Sequence, residues 1–172
     1  TLEFDPDKPI KSTGDMRPWS TKKPNDYSKK SHINYAVHDS RWEAHTVFEL
    51  ERNSNVESWV KNERIGFGIN YIYNGILHTF YPDFLICLDN GITLVLEIKG
   101  IDSDQNKTKR TFLKEWVEAV TEDGRFGVWT SDVAFAQSEV KGIIKKHSES
   151  NQAQNITAKC PKCEKSAENR VK

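Results

Sequence analysis

This 172-residue chain has no long apolar run, no excess of charge of either sign and only three cysteines. A helix that crosses a bilayer needs about 20 mostly apolar residues, but no stretch here comes near that length and 29% of the residues are charged. The three cysteines are odd in number, which favours a reducing compartment over a disulfide framework. With 36% hydrophobic and 29% charged residues, we expect a soluble, cytoplasmic protein. Because there is no signal peptide and the chain starts at Thr1 rather than Met, we expect it to be a fragment or a processed product.

The 25 basic residues balance the 25 acidic ones, which argues against a wholly basic nucleic-acid binder. The basic residues are nevertheless clustered. One cluster lies in the N-terminal arm, and the other falls on a predicted helix and comprises Lys107, Lys109, Arg110 and Lys114. Each cluster has two interpretations. It is either a solvated surface or the local cationic patch that a phosphodiester substrate requires beside an acidic metal site.

Hydrophobic periodicity predicts an α/β fold with the element order α-β-β-β-α-β-α, in which helices flank a mixed sheet. We expect a first helix over Asp39–Asn53, and then a meander of three antiparallel strands that includes a hairpin turning at Asn74-Gly75. A second helix is expected to stop at Gly124, followed by a strand over 125–130 and a last helix over about 131–147. The predicted organisation is an irregular arm over 1–38, one domain over 39–147 and a polar tail over 148–172.

The most informative stretch runs from Asp83 to Lys99 and carries two carboxylates and one amine on a single hairpin. Asp89-Asn90-Gly91 between two apolar runs predicts a three-residue loop closed by a glycine in the left-handed region. Counting back from that loop places Asp83 opposite Glu97, with Cβ atoms about 4.5–5.5 Å apart. Lys99 shares their face of the sheet, because it lies two residues beyond Glu97.

Two acids so close among apolar residues would repel each other unless a cation lay between them. Mg²⁺ suits such a pair, since it is held by one or two carboxylates together with water and substrate phosphate oxygens. The lysine would hold the scissile phosphate, or orient and help to deprotonate the attacking water. The competing interpretation is chance: an acid followed by Glu-x-Lys occurs in many strands, with Lys99 as a solvated edge residue.

The tail contains a second metal-binding pattern. Cys160-Pro161-Lys162-Cys163 is half of a zinc knuckle, and His147 is the nearby third ligand. A Zn²⁺ site at Cys160 and Cys163 is one interpretation, and two free thiols in a disordered tail are the other.

Several segments occur in an order that resembles a known family. They are Thr21–Pro24, Lys30–Asn34, Asp39–Glu43, Val60–Asn62, Gly66-Phe67, Pro82–Phe84, Leu96–Gly100 and Trp116–Val120. Together they resemble the C-terminal endonuclease domain of type III restriction enzyme cleavage (Res) subunits and related helicase-nucleases, within the PD-(D/E)xK nuclease superfamily. The resemblance spans about Thr21 to Trp129 and implies a restriction-endonuclease-like core from bacteria or phage. It also implies Mg²⁺-dependent DNA cleavage, an ATP-driven translocase segment on the N-terminal side and a separate modification subunit that supplies specificity.

Carried over residue by residue, Asp83 and Glu97 match the metal-binding acids and Lys99 matches the motif lysine. Glu43 matches an acid on the first helix that completes the metal shell, although Ser40-x-x-Glu43 is also a capping box. Lys109 matches a basic position on the second helix that touches a DNA phosphate. Asn70-Tyr71 departs from the family's Pro-Tyr, which affects a turn and not the chemistry.

The expected activity is hydrolysis of a DNA phosphodiester, with one or two Mg²⁺ ions on Asp83, Glu97 and the carbonyl of Ile98, and with Mn²⁺ as a substitute. Two alternatives stay open. A repair or transposition nuclease of the same superfamily would carry the same residues. A non-catalytic DNA-binding or docking module would use the same fold with an incomplete site.

Overall fold

The structure is a computed structural model that describes residues 12–100 and 102–150. The Cys160–Cys163 pair therefore lies outside the described residues. The elements are β1 (Asn25–Tyr27), β2 (Tyr35–Val37), α1 (Arg41–Arg52), β3 (Val56–Lys61), β4 (Ile69–Tyr73), β5 (Ile76–Phe80), β6 (Phe84–Leu88), β7 (Thr93–Ile98), α2 (Asp104–Asp123), β8 (Trp129–Ala134) and α3 (Glu139–Ser148). Within these residues, no helix is both long enough and apolar enough to cross a membrane.

A four-stranded mixed sheet with strand order β3-β6-β7-β8 forms the centre of the fold. β3, β6 and β7 pair antiparallel, whereas β8 returns parallel to β7. A parallel return needs a crossover connection, and α2 supplies it. The predicted α/β class with a mixed sheet flanked by helices is therefore confirmed.

Alternate residues of β7 belong to two different hydrophobic cores. Leu94 and Leu96 pack in one core with side chains of α1 and α3, whereas Val95 packs in the other with side chains of α2 and the β4–β5 hairpin. Successive strand residues point to opposite faces of a sheet. Glu97 therefore continues the Val95 side and faces α2 and the hairpin.

The loop that sets the β6–β7 register has the predicted form. The Gly91 N–H donates to the Leu88 carbonyl over 2.9 Å, and the Leu88 N–H donates to the Ile92 carbonyl over 2.9 Å. Gly91 has φ +82, the left-handed conformation that favours glycine. Phe84 pairs with Leu96 in the resulting register, so the predicted alignment of the two strands is confirmed.

The predicted meander is wrong in its first member. β4 and β5 form a two-stranded sheet of their own, and the strand that pairs with β6 is β3, which the periodicity did not predict. The register of β3 shifts between Val56 and Ser58. Such a bulge inserts an extra residue and interrupts the alternation by which strands are recognised.

The boundaries of the last two elements also differ from the prediction. The strand runs over Trp129–Ala134 rather than 125–130, and the helix begins at Glu139 rather than near 131. The strand continues through Ser131 and Asp132 because β7 pairs with it along its whole length. Pairing to a central strand thus outweighs the weak strand propensity of these polar residues.

The arm over 1–38 is not wholly irregular, since β1 and β2 pair within it. The carboxylate of Glu51 on α1 fastens this hairpin. It accepts hydrogen bonds from the Ser28 hydroxyl, from the Lys29 N–H over 3.0 Å and from the Lys30 N–H over 3.2 Å. The indole of Trp59 on β3 donates a further bond over 2.9 Å. One carboxylate thus joins the arm to the sheet.

We expect Glu51→Gln to lower the free energy of unfolding by about 2 kcal/mol, because it removes charge-assisted bonds and turns an amide donor toward other donors. Burial alone would raise the pKa of Glu51, but the four hydrogen bonds outweigh it and lower the pKa. A carboxylate with a lowered pKa stabilises the fold above its ordinary pKa of 4.5, and this stabilisation is lost as the pH falls through the folded-state pKa. Urea unfolding at pH 7 and pH 3 should therefore show a larger difference in stability between the two proteins at pH 7 than at pH 3, with exposed Glu122→Gln as the control.

Candidate active site

The main chain holds Asp83 between two strands. Its carbonyl accepts the N–H of Asn62 over 2.8 Å, and its Oδ2 accepts the N–H of Ile98 over 2.7 Å. Asp83 precedes β6, and one more step of the observed register places it opposite Glu97. The structure thus brings Asp83 and Glu97 together, as the loop predicted. It also places the N–H of Ile98 at Asp83, while metal binding by the Ile98 carbonyl stays a prediction.

Glu97 is a buried carboxylate that is only half satisfied. The residue is 5% exposed, and its Oε1 lies 2.6 Å from the Lys99 ammonium. The other oxygen, Oε2, is buried and has no hydrogen-bond partner among residues 12–100 and 102–150. An unpaired oxygen of this kind costs the free energy of its desolvation. The Oε2 atom of Glu97 can therefore accept a hydrogen bond or bind a cation.

The surroundings of Asp83 disfavour its charge. Burial is the largest cause and the charge of Glu97 is the second, and together they raise the pKa of Asp83 to about 6. The Ile98 N–H and the charge of Lys99 act in the opposite direction, while Glu43 adds a smaller repulsion. A bound cation would remove the repulsion between the acids.

Lys99 stays protonated at neutral pH. Burial would lower the pKa of its ammonium, but the hydrogen bond to Glu97 and the charges of Glu97 and Asp83 outweigh that effect and raise the pKa. A lysine whose pKa lies above its usual value is a poor general base. Of the roles predicted for Lys99, holding a phosphate or orienting water therefore fits this environment better than removing a proton.

Glu43 has a capping role in the structure. Its Oε2 accepts the Asp39 N–H over 2.7 Å and the Lys61 ammonium over 2.8 Å, while the Ser40 hydroxyl accepts the Glu43 N–H over 3.2 Å. The capping interpretation is thus confirmed with one difference. The Glu43 carboxylate accepts the N–H of Asp39, the residue before the N-cap, rather than the N–H of the N-cap Ser40. Metal binding by Glu43 stays a prediction, supported only by its electrostatic effect on Asp83.

A small cleft opens beside the two residues of the Glu-x-Lys motif. It is lined by Phe80, Glu97, Lys99, Asn106, Lys109, Arg110, Leu113 and Val133. Two members of the predicted cationic cluster, Lys109 and Arg110, therefore reach the site, whereas Lys107 and Lys114 do not line it. These last two residues are exposed and pair with Asp104 and Glu118.

Several polar and aromatic neighbours of the site were not predicted. Lys61 ends β3 and pairs with Glu43, and Phe80 and Asn106 line the cleft. Phe80 precedes Tyr81-Pro82-Asp83 along the chain, so its closeness to the acids was accessible from sequence. The others were not, because the end of an unpredicted strand and one side of a helix meet the site only after folding.

The donor set fits Mg²⁺ better than Zn²⁺. Among the described residues, no group of three or more His, Cys, Asp or Glu side chains is placed to hold a metal ion. Structural and catalytic zinc sites need three or four such ligands. Mg²⁺ needs one or two carboxylates and takes its other ligands from water and phosphate, and the orphan oxygen of Glu97 is a free ligand position next to Asp83.

The candidate site lies at one end of β7. Four predicted residues, Asp83, Glu97, Ile98 and Lys99, meet at one end of β7, and a cleft with two further cations opens beside them. A scan against protein-family models, a search of curated proteins and a search of solved structures each return no match.

Proposed function

We propose that this chain is a Mg²⁺-dependent DNA endonuclease domain with a restriction-endonuclease-like core. The observation that carries the proposal is the buried, unpartnered Oε2 of Glu97 next to Asp83, whose pKa is raised to about 6. Both features destabilise the two acids as they stand. A divalent cation would relieve the repulsion and the unpaired oxygen together.

Each residue of the site has a separate role in the proposed reaction. Asp83 and Glu97, with the Ile98 carbonyl, would hold Mg²⁺, and Mn²⁺ would substitute for it. The bound ion would stabilise charge on the phosphate and lower the pKa of a water ligand. Lys99 remains a cation within 2.6 Å of Glu97 and orients the phosphate or the water. Glu43, at the start of α1, adds negative charge near Asp83.

The cations that line the cleft support the proposal of a polyanionic substrate. Although the chain carries no net charge, Lys99, Lys109 and Arg110 line one opening beside the acids. Local cations of this kind neutralise phosphates. The resemblance to type III cleavage subunits supports the finer proposal of restriction cleavage, with an ATP-dependent translocase and a separate modification subunit as partners.

The proposal is tested by incubating the purified chain with supercoiled plasmid in Mg²⁺, Mn²⁺ or EDTA. We expect nicking or linearisation with either metal and none with EDTA, and we expect Asp83→Ala to abolish cutting. Asp89→Asn, an exposed acid in the loop of the same hairpin, is the matched control. Cutting by Asp83→Ala at the unmutated rate would exclude the assigned site.

If the unmutated chain does not cut, calorimetry decides between the alternatives. Mg²⁺ binding that is lost in Asp83→Ala would indicate a nuclease that needs its translocase. No metal binding in either protein would indicate a docking module.

A further inference from the structure

Lys109 differs from the other members of its cluster in having no acidic partner. Lys107 lies 3.0 Å from Asp104, and Lys114 lies 3.9 Å from Glu118. Arg110 makes two bonds to Asp102. In contrast, no carboxylate pairs with Lys109 within the part of the chain that the structure describes.

Two aromatic rings hold Lys109 in place of a carboxylate. Its ammonium lies 5.9 Å from the ring centroid of Tyr71 and 6.0 Å from that of Phe80. These distances are within the range of cation–π attraction, which positions a cation without neutralising it. Tyr71 and Phe80 form an aromatic shelf, and Lys109 and Phe80 both line the cleft beside Glu97 and Lys99.

A hydrogen bond and ring packing fix the position of the aromatic shelf. Tyr71 is 3% exposed, and its hydroxyl accepts a hydrogen bond from the Gln105 amide over 2.7 Å. Its ring stacks on His78 at 5.3 Å and meets Phe80 edge to face at 6.0 Å. Gln105 lies on α2, one turn before Lys109, so the hairpin and the helix that carries Lys109 are joined directly.

Burial excludes the simplest alternative role for these rings. Phe80 is 7% exposed and Tyr71 less, so neither ring offers a face on which a nucleobase could stack. The two rings can therefore affect DNA binding only through the position of the Lys109 side chain. A lysine side chain has many rotamers in solution, and fixing it before binding reduces the entropy lost when it meets an anion.

We propose that Tyr71, together with Phe80, is a positioning residue that directs Lys109 at a phosphate of the DNA backbone next to the cleavage site. This inference rests on the proposed function, because it assumes a DNA substrate. It assigns the β4–β5 hairpin a part in substrate binding and makes Lys109 the phosphate contact of its cluster.

The test is a double-mutant cycle measured by fluorescence anisotropy with a labelled DNA duplex in EDTA at several salt concentrations. Lys109→Met should weaken binding about tenfold, as expected for a lost charge-assisted bond, and should reduce the salt slope by about one. Tyr71→Leu should weaken binding about two- to fivefold and also lower the slope. Tyr71→Phe, which keeps the ring and loses only the hydroxyl contact with Gln105, should weaken binding less than Tyr71→Leu.

The decisive comparison is Tyr71→Leu in the Lys109→Met background, where it should have no further effect. Equal weakening by Tyr71→Leu in both backgrounds, or an unchanged salt slope in Lys109→Met, would overturn the inference. Lys145→Met, on α3 and paired with Glu149, is the control for charge alone. If Tyr71→Leu unfolds at a markedly lower temperature than the unmutated chain, Phe80→Leu replaces it in the same cycle.

The outcomes also separate the two proposals. A chain that cuts plasmid while its cycle is additive overturns the aromatic shelf and leaves the nuclease standing. A chain that neither binds DNA nor cuts it overturns the proposed function, and the shelf with it.

Discussion

Lys99→Met will lower the single-turnover rate of DNA cleavage by about a hundred- to a thousandfold, the usual effect of removing one preorganised charge from a transition state. The same substitution will not weaken Mg²⁺ binding. Lys99 lies 2.6 Å from Glu97, so its removal frees that carboxylate for the metal. Rapid-quench kinetics and calorimetry on the same variant separate the two effects.

Lys99→Arg distinguishes a fixed positive charge from a base. The pKa of Lys99 is already raised by Glu97 and Asp83, so the lysine acts as a cation. Arginine keeps that charge and cannot lose its proton at working pH. We therefore expect the arginine variant to cleave at least about tenfold faster than the methionine variant, with the pH profile of the unmutated chain. Equal rates for the two variants would argue that Lys99 removes a proton.

The core of the site was predictable because it depends on local chemistry. Asp89-Asn90-Gly91 admits essentially one kind of turn, the turn sets the register, and the register places Asp83 against Glu97. Every step uses residues within a single hairpin. No contact between distant parts of the chain was needed.

The orientation of the basic helix was also accessible from its spacing. Leu113 and Val117 are buried on α2, and Lys109 lies one turn before Leu113 on the same side. Side chains four residues apart share a helix face. Lys109 therefore faces the sheet, whereas Lys107 and Lys114 point away from it. Treating all four cations as one cluster overlooked that distinction.

Other features depend on contacts that sequence periodicity does not report. The bulge in β3 prevented its recognition from the sequence, and Asn62, the residue directly after β3, donates a hydrogen bond to the Asp83 carbonyl. The aromatic shelf requires a hairpin and a helix to meet, although Tyr71 and Gln105 are 34 residues apart. The burial of Glu97 and the raised pKa of Asp83 likewise arise only when both cores have formed.

Asp83→Asn will stabilise the metal-free protein above pH 7 by about 2–3 kcal/mol while abolishing its cleavage of DNA. The asparagine oxygen can still accept the Ile98 N–H, but it carries no charge to repel Glu97. The folded-state pKa of about 6 lies above the ordinary value of 3.8. The folded protein therefore holds the proton more tightly, and the stability it provides is complete below about pH 4 and lost as the pH rises through 6.

The stability difference between Asp83→Asn and the unmutated chain should therefore be near zero at pH 4, grow through pH 6 and level off by pH 8. Urea unfolding in EDTA measures it, with Asp89→Asn as the control. Saturating Mg²⁺ at pH 8 should raise the stability of the unmutated chain and not that of Asp83→Asn, because a ligand stabilises only the state that binds it. A difference in stability that does not depend on pH would mean that Glu97 does not repel the Asp83 carboxylate. A Mg²⁺ response in both proteins would mean that the metal binds elsewhere.

We thus expect Asp83 to destabilise the metal-free protein and yet to be required for cleavage. This combination arises when a fold holds two carboxylates close together so that a cation can bind between them.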